Sequence, residues 1–179
     1  MHTVILNGSP RIKGNTSCII ERLLEGIHSV AGSSAEVIDL SRKTLLPCMA
    51  CDGCKKSGGG RCVLKDDSGD ILEALTRADA IVFASPVYFW GISAQLKLIV
   101  DKFYSSEEQL RGKKIGLMVV GADGLESPQY RLIHEQFGCI AKFLDWEILF
   151  DEKVSAGAPG EVLKNTVLMQ RLFEIGAGL

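Results

Sequence analysis

The 179-residue chain has no basic run, no long apolar run and almost no net charge, with 20 Lys and Arg against 22 Asp and Glu. Without a basic patch, or a stripe mixing aromatic and basic residues, the electrostatic footprint of a nucleic-acid binder is missing. No apolar run reaches the roughly 18 residues that a membrane span needs, and the N-terminus lacks the basic region, apolar core and cleavage site of an export signal. A cytoplasmic location away from membranes is therefore expected. In that compartment the six cysteines read as metal ligands, redox groups or core residues rather than structural disulfides. Two phosphate-binding signatures are also missing: no Gly-Lys-Ser or Gly-Lys-Thr closes a loop, and no Gly-x-Gly-x-x-Gly follows a strand. The three histidines, His2, His28 and His134, fall on a terminus and two predicted helices, away from the predicted site loops, and none is assigned a catalytic role.

What is present begins at the N-terminus. Thr3-Val4-Ile5-Leu6 is apolar on nearly every side, as a strand covered on both faces of a parallel sheet must be. From Ile19 to Ile27 apolar residues recur at helical spacing. Between them lies Asn7 to Ser17, a strand-to-helix turn rich in Gly, Asn, Ser and Thr. Asn15, Thr16 and Ser17 can cap the helix, and the unsatisfied N–H groups and positive dipole end of that helix suit a phosphate. By its residues alone the loop is either an anion cradle or a well-capped polar turn.

The same reading continues down the chain. It predicts strands over 36–40, 80–84, 113–121 and 146–150, and helices from near 66 or 67, over 92–104, over 128–143 and over 160–176. Five strands alternating with helices specify one α/β domain spanning 1–179, a doubly wound parallel sheet of order 2-1-3-4-5 with helices on both faces. Ligands of such sheets bind outside the carboxyl ends of the strands, between the first and third. That places the loop at 7–17 beside the aromatic turn Val87-Tyr88-Phe89-Trp90-Gly91, with Gly121 to Gly124 closing the site from the fourth strand. The periodicity fails over about 45–66, a cysteine-rich insertion too long for an ordinary connection.

Three stretches carry a resemblance: Gly-Ser-Pro-Arg followed by Gly-Asn-Thr at Gly8 to Thr16, a Cys-x-x-Cys-x-x-Cys region ending in Asp-Asp at Cys48 to Asp67, and Ser-Pro-Val-Tyr-Phe with Ser-Ala-Gln-Leu-Lys at Ser85 to Lys97. Together they resemble the flavodoxin-like NAD(P)H-dependent FMN reductases, in particular the branch containing iron-sulfur flavoproteins. The resemblance implies an FMN with its phosphate held by Ser9, Arg11, Asn15 and Thr16, and Lys13 and Ser17 as further candidates. Its ring would lie against Pro86, Val87, Tyr88, Phe89, Trp90 and Gly91, with Gly121 and Gly124 nearby. NAD(P)H is the implied electron donor. The implied acceptor is a quinone, an azo or nitro aromatic, or a redox protein. A homodimer or higher homo-oligomer would cover the exposed flavin face. The flavin carries the chemistry, so no side chain is needed as acid or base. The alternatives are an electron carrier without nicotinamide turnover and a flavin-binding regulatory module.

Cys48, Cys51, Cys54 and Cys62 have the spacing C-x2-C-x2-C-x7-C. Compact runs of this kind hold [4Fe-4S] clusters, because closely spaced thiolates on a turning backbone reach several irons. Gly58-Gly59-Gly60 would let Cys62 turn back. Three readings stay open: a cluster that relays electrons, free or redox-active thiols, and zinc, which the shared middle cysteine disfavours. Cys18 and Cys139 are expected to be small core hydrophobes.

Overall fold

The computed structural model describes residues 1–56 and 59–179, so Gly58 of the glycine run lies outside the described residues. Five strands, β1 (His2–Asn7), β2 (Ser34–Asp39), β3 (Ala80–Pro86), β4 (Lys114–Gly121) and β5 (Glu147–Ser155), form one parallel sheet of order β2-β1-β3-β4-β5. The helices are α1 (Asn15–His28), the single turn α2 (Gly53–Lys56), α3 (Ser68–Arg77), α4 (Ala94–Val100), α5 (Pro128–Leu144) and α6 (Thr166–Ala177).

Because successive strand residues point to opposite faces, each central strand feeds two cores. Val4, Leu6, Phe83 and Leu117 pack with Ile71 and Leu75 of α3, Leu96 and Ile99 of α4, and Ile133 and Phe137 of α5. Ile5, Val82, Met118 and Val120 pack with Ile19, Leu23 and Ile27 of α1 and Leu168 and Leu172 of α6. The doubly wound sheet expected from the sequence is thus covered by three helices on one face and two on the other. Helices α1 and α6 meet without side chains between them. A Cβ on Gly26 would lie 2.1 Å from the Phe173 carbonyl oxygen, and one on Gly176 would lie 2.1 Å from the Leu23 carbonyl oxygen.

Several boundaries differ from expectation. β5 runs to Ser155 rather than residue 150, carrying Asp151, Glu152 and Lys153 along the sheet edge. The two acidic charges are tolerated in an edge strand because they find partners: Asp151 pairs with His134 and Glu152 with Arg171. The pairing with β4 slips between Ile115 and Gly116, where the ring of Phe150 covers the missing side chain of Gly116. Helix α4 stops at Val100 and continues as a 3-10 turn over Asp101–Ser105. Ser105 Oγ donates to the Lys102 carbonyl at 2.8 Å, a hydroxyl competing for the helical backbone. The last helix begins at Thr166, after a 3-10 turn over Glu161–Lys164, because Asn165 accepts from the Leu168 N–H at 3.0 Å and resets the N-terminus. Among the described residues no helix is long and apolar enough to cross a membrane.

Candidate cofactor cleft and cysteine pocket

The β1–α1 loop is held by its own polar side chains. Asn7 Oδ1 accepts from the Ser9 N–H at 3.0 Å while Asn7 Nδ2 donates to Asp39 at 2.8 Å, tying the loop to the end of β2. Ser9 Oγ accepts from the Arg11 N–H at 3.2 Å, and Ser17 Oγ and the Gly14 N–H both donate to the Arg11 carbonyl. Gly14 is the N-cap of α1 and has no side chain to cap the first turn. The leading N–H groups of that turn, which have no intrahelical acceptor, are therefore available to an anion. Gly8 serves packing instead: a Cβ there would lie 2.7 Å from Ser93 Oγ.

This loop forms one wall of a cleft of about 200 Å³ at the carboxyl edge of the sheet, lined by Ser9, Arg11, Gly14, Asn15 and Thr16. The opposite wall is Pro86, Val87 and Tyr88 from the end of β3, and the floor is Val120, Gly121, Ala122, Ala156 and Gly157. Ser9 and Thr16 are almost wholly buried. Arg11 stands exposed at the rim.

The aromatic turn is a two-residue hairpin. Tyr88 and Gly91 exchange backbone hydrogen bonds of 2.9 and 3.1 Å, with Phe89 at φ 48° and Trp90 at φ 63°. Positive φ at both central positions is normally left to Asn and Gly, so two bulky aromatics there store backbone strain. Phe89 is 96% exposed. Val87 N–H donates to the Val120 carbonyl at 2.7 Å, anchoring the turn to β4.

The floor is braced from the far side. Asn15 Nδ2 donates to the carbonyls of Ala156 and Ala158 at 3.2 and 2.9 Å, and its Oδ1 accepts from the Val162 N–H at 3.3 Å. Glu161 accepts from the N–H groups of Gly157 and Ala158 at 2.7 and 2.8 Å, and these bonds, Ala158 first, hold its carboxyl below the usual range. Tyr130 Oη donates to the carbonyls of Asp123 and Val154, fastening the β4–α5 loop to β5, and burial pushes its phenol up.

The structure therefore brings Ser9, Arg11, Asn15, Thr16, Pro86, Val87, Tyr88 and Gly121 together around one cleft. Lys13, Ser17, Phe89, Trp90, Gly91 and Gly124 lie outside its lining. The Ser17 hydroxyl is turned back to Arg11, and the Asn15 side chain is engaged by the 156–162 segment rather than by the helix cap expected from the sequence. The sequence does not single out Val120, Ala156 and Gly157; the small-residue run Ala156-Gly157-Ala158-Pro159-Gly160 is the available signal, hidden because the fifth strand is expected to end at residue 150.

A second pocket gathers the cysteine segment. Cys48, Cys51, Cys54 and Cys62 line one small cavity with Met49, Val63, Leu64, Lys102 and Tyr104. Ala50 at φ 51° and Asp52 at φ 55° give the backbone left-handed turns between the first three cysteines. The segment is pinned at its base: Asp67 accepts from the Thr44 N–H at 2.7 Å, and Asp66 from the Leu46 N–H at 2.8 Å. Its outer part leans on the 3-10 region. Tyr104 Oη donates to Asp52 at 3.2 Å, Lys55 sits 4.6 Å over the Tyr104 ring, and Ser106 Oγ donates to the Gly60 carbonyl at 3.3 Å. Beneath the pocket Lys102 and Asp66 form an ion pair with side chains 1% and 0% exposed, joined by Ser68. Burial pushes the Asp66 carboxyl up, but hydrogen bonds from Lys102, Ser68 and the Leu46 N–H outweigh it and hold the group at about 2. Among the described residues no three His, Cys, Asp or Glu stand together as a site for a single metal ion. Cys139, expected in the core, is exposed on α5.

Residues 1–143 match the family described as NADPH-dependent FMN reductase. The chain belongs to that family. An iron-sulfur flavoprotein of Methanocaldococcus jannaschii is 38% identical over 141 residues, covering 76% of this chain and 72% of the relative. An iron-sulfur flavoprotein of Archaeoglobus fulgidus is 33% identical over 131 residues, covering 72% of this chain and 58% of that relative, so the match spans little more than half of its length. The fold is that of a solved NAD(P)H:quinone oxidoreductase from Methanothermobacter marburgensis, with a TM-score of 0.77, 22% identity and coverage of 99% and 96%. For an FMN reductase family member the cleft lies where this sheet order demands a ligand, at the switch point between β1 and β3.

Proposed function

We propose that the chain is a single-domain flavoenzyme that takes electrons from NADPH or NADH through FMN bound in the cleft. They would pass to a quinone, an azo or nitro aromatic, or a redox protein. The observation that carries this reading is the convergence of loops from β1, β3, β4 and β5 on one cleft whose wall is the uncapped N-terminus of α1. The residues fit the group. Ser9, Thr16 and the first-turn N–H groups offer donors for a phosphate dianion, and Arg11 adds charge at the rim. Pro86 to Tyr88 supply a flat apolar wall with backbone polar groups for the ring's polar edge. Bound FMN would supply the redox chemistry, accepting a hydride and releasing electrons singly or in pairs. The protein's part is to hold the phosphate, fix the ring plane and leave one ring face open to donor and acceptor.

The four cysteines are read as ligands of a [4Fe-4S] cluster. They line one cavity, and their C-x2-C-x2-C-x7-C spacing suits several irons of one cluster better than the paired ligands of a zinc site. The exposed Phe89 and Trp90 at the mouth of the cleft are read as covered by a second copy of the chain. Anaerobic purification followed by an absorption spectrum tests the reading. Flavin bands that bleach on adding NADPH or NADH are expected, and a colourless protein that does not take up added FMN would overturn it.

A further inference from the structure

Four thiolates and a cluster form an anionic assembly, and each electron added makes it one unit more negative. The charged groups that line the cysteine cavity are Asp52, Asp101 and Lys102. Asp52 and Asp101 are exposed, where water screens them, and Asp101 is further paired with Lys97. Lys102 is 2% exposed. Its partner Asp66 does not line the cavity: its Oδ1 accepts from the Ser68 N–H and hydroxyl, and its Oδ2 accepts from the Leu46 N–H as well as from Lys102. Of the buried pair, Lys102 therefore lines the cysteine cavity and Asp66 does not, in surroundings where a fixed charge is screened less than in water.

We propose that Lys102, positioned by Asp66, is the electrostatic tuning residue of the cysteine site, and that its charge would favour the reduced form of a cluster held there. A bound cluster and bound FMN would exchange single electrons, one losing an equivalent as the other gains it, with no bond made or broken at the thiolates. It rests on the cluster reading given above.

The test uses the full-length chain, reconstituted anaerobically with iron and sulfide, and reads iron content, melting temperature and cluster midpoint potential. Lys102→Met alone leaves a buried carboxylate unpaired and is expected to fold poorly. The pair Lys102→Met with Asp66→Asn removes both charges while keeping an acceptor for the Leu46 N–H, and it is the informative variant. It is expected to load iron as the wild type does, yet at a fixed applied potential to hold about tenfold less reduced cluster, a shift of about 59 mV for one electron. Lys102→Arg keeps the charge and is expected to restore the wild-type potential. A double variant that loads iron with unchanged potential overturns the inference and leaves the pair a structural anchor. Wild-type protein that takes up no iron overturns the cluster reading as well, so the two failures are distinguishable.

Discussion

The β1–α1 loop, proposed above as a phosphate cradle, and the cysteine loop are both connections at the edge of the same sheet, and they are built by opposite means. The cradle is short and its ends belong to β1 and α1, two of the most buried elements of the protein, so its shape follows from the fold. The cysteine segment has a single helical turn of its own and is positioned by a few side chains: Asp66, Asp67, Tyr104, Ser106 and Lys102. A loop whose two ends are fixed in buried elements keeps its place when one side chain is lost, whereas a segment pinned by a few distant side chains can be dismantled one residue at a time.

Asp66→Ala should break the contrast most sharply. It strands the buried Lys102 and frees the Leu46 N–H, at a cost of about 3–5 kcal/mol. Chemical denaturation should register that loss, and limited proteolysis should cut within 45–66 while FMN affinity changes little. Thr16→Val acts on the other region. It removes one buried hydroxyl from the cradle without changing shape, and a charge-assisted hydrogen bond is worth about 1.5–3 kcal/mol. FMN titration is expected to show binding about tenfold to a hundredfold weaker, with the melting temperature of the apoprotein unchanged. Acid should separate the two next. The Asp66 carboxyl sits near 2 in the folded chain against an ordinary 3.8, so the unfolded state protonates first. Its stabilisation is complete above about pH 4 and is lost as pH falls toward 2, about 2 kcal/mol in all. Urea melts over that range should lose this component in Asp66→Asn and keep it in Thr16→Val. The smallest effect is expected from Tyr104→Phe, which deletes one bond to the exposed Asp52 and should cost under about 0.5 kcal/mol by thermal melting.

The two regions also differ in how far they could be read from the amino acids. The sheet order and the cradle were legible because buried parallel strands are continuous apolar runs and the turn between β1 and α1 carries its polar residues in a short space. Asn15 is legible as a residue of that turn but its contacts are not, since nothing local shows that a side chain at the start of α1 will reach a loop more than 140 positions away. β5 was cut short for a related reason: Asp151, Glu152 and Lys153 look like a turn until Arg171 and His134 are seen beside them. The spacing of the cysteines was plain, and the buried cation beneath them was not. Lys102 sits in an amphipathic stretch where a lysine is ordinarily solvated, and its burial depends on a carboxylate 36 residues earlier in the chain.

The glycine crossing of α1 and α6 has a mechanical consequence for the cleft. Backbone-to-backbone contact at Gly26 and Gly176 leaves no slack, so α6 works as a stop that fixes where α1 comes to rest along its own axis. Gly26 lies twelve residues, about 18 Å, from the end of α1 that opens on the cleft. Any side chain at either glycine would push α1 off its seat and carry that opening with it. Helix α6 lies beyond residues 1–143, so the family-matched part of the chain takes the placement of the α1 N-terminus from a segment outside the match.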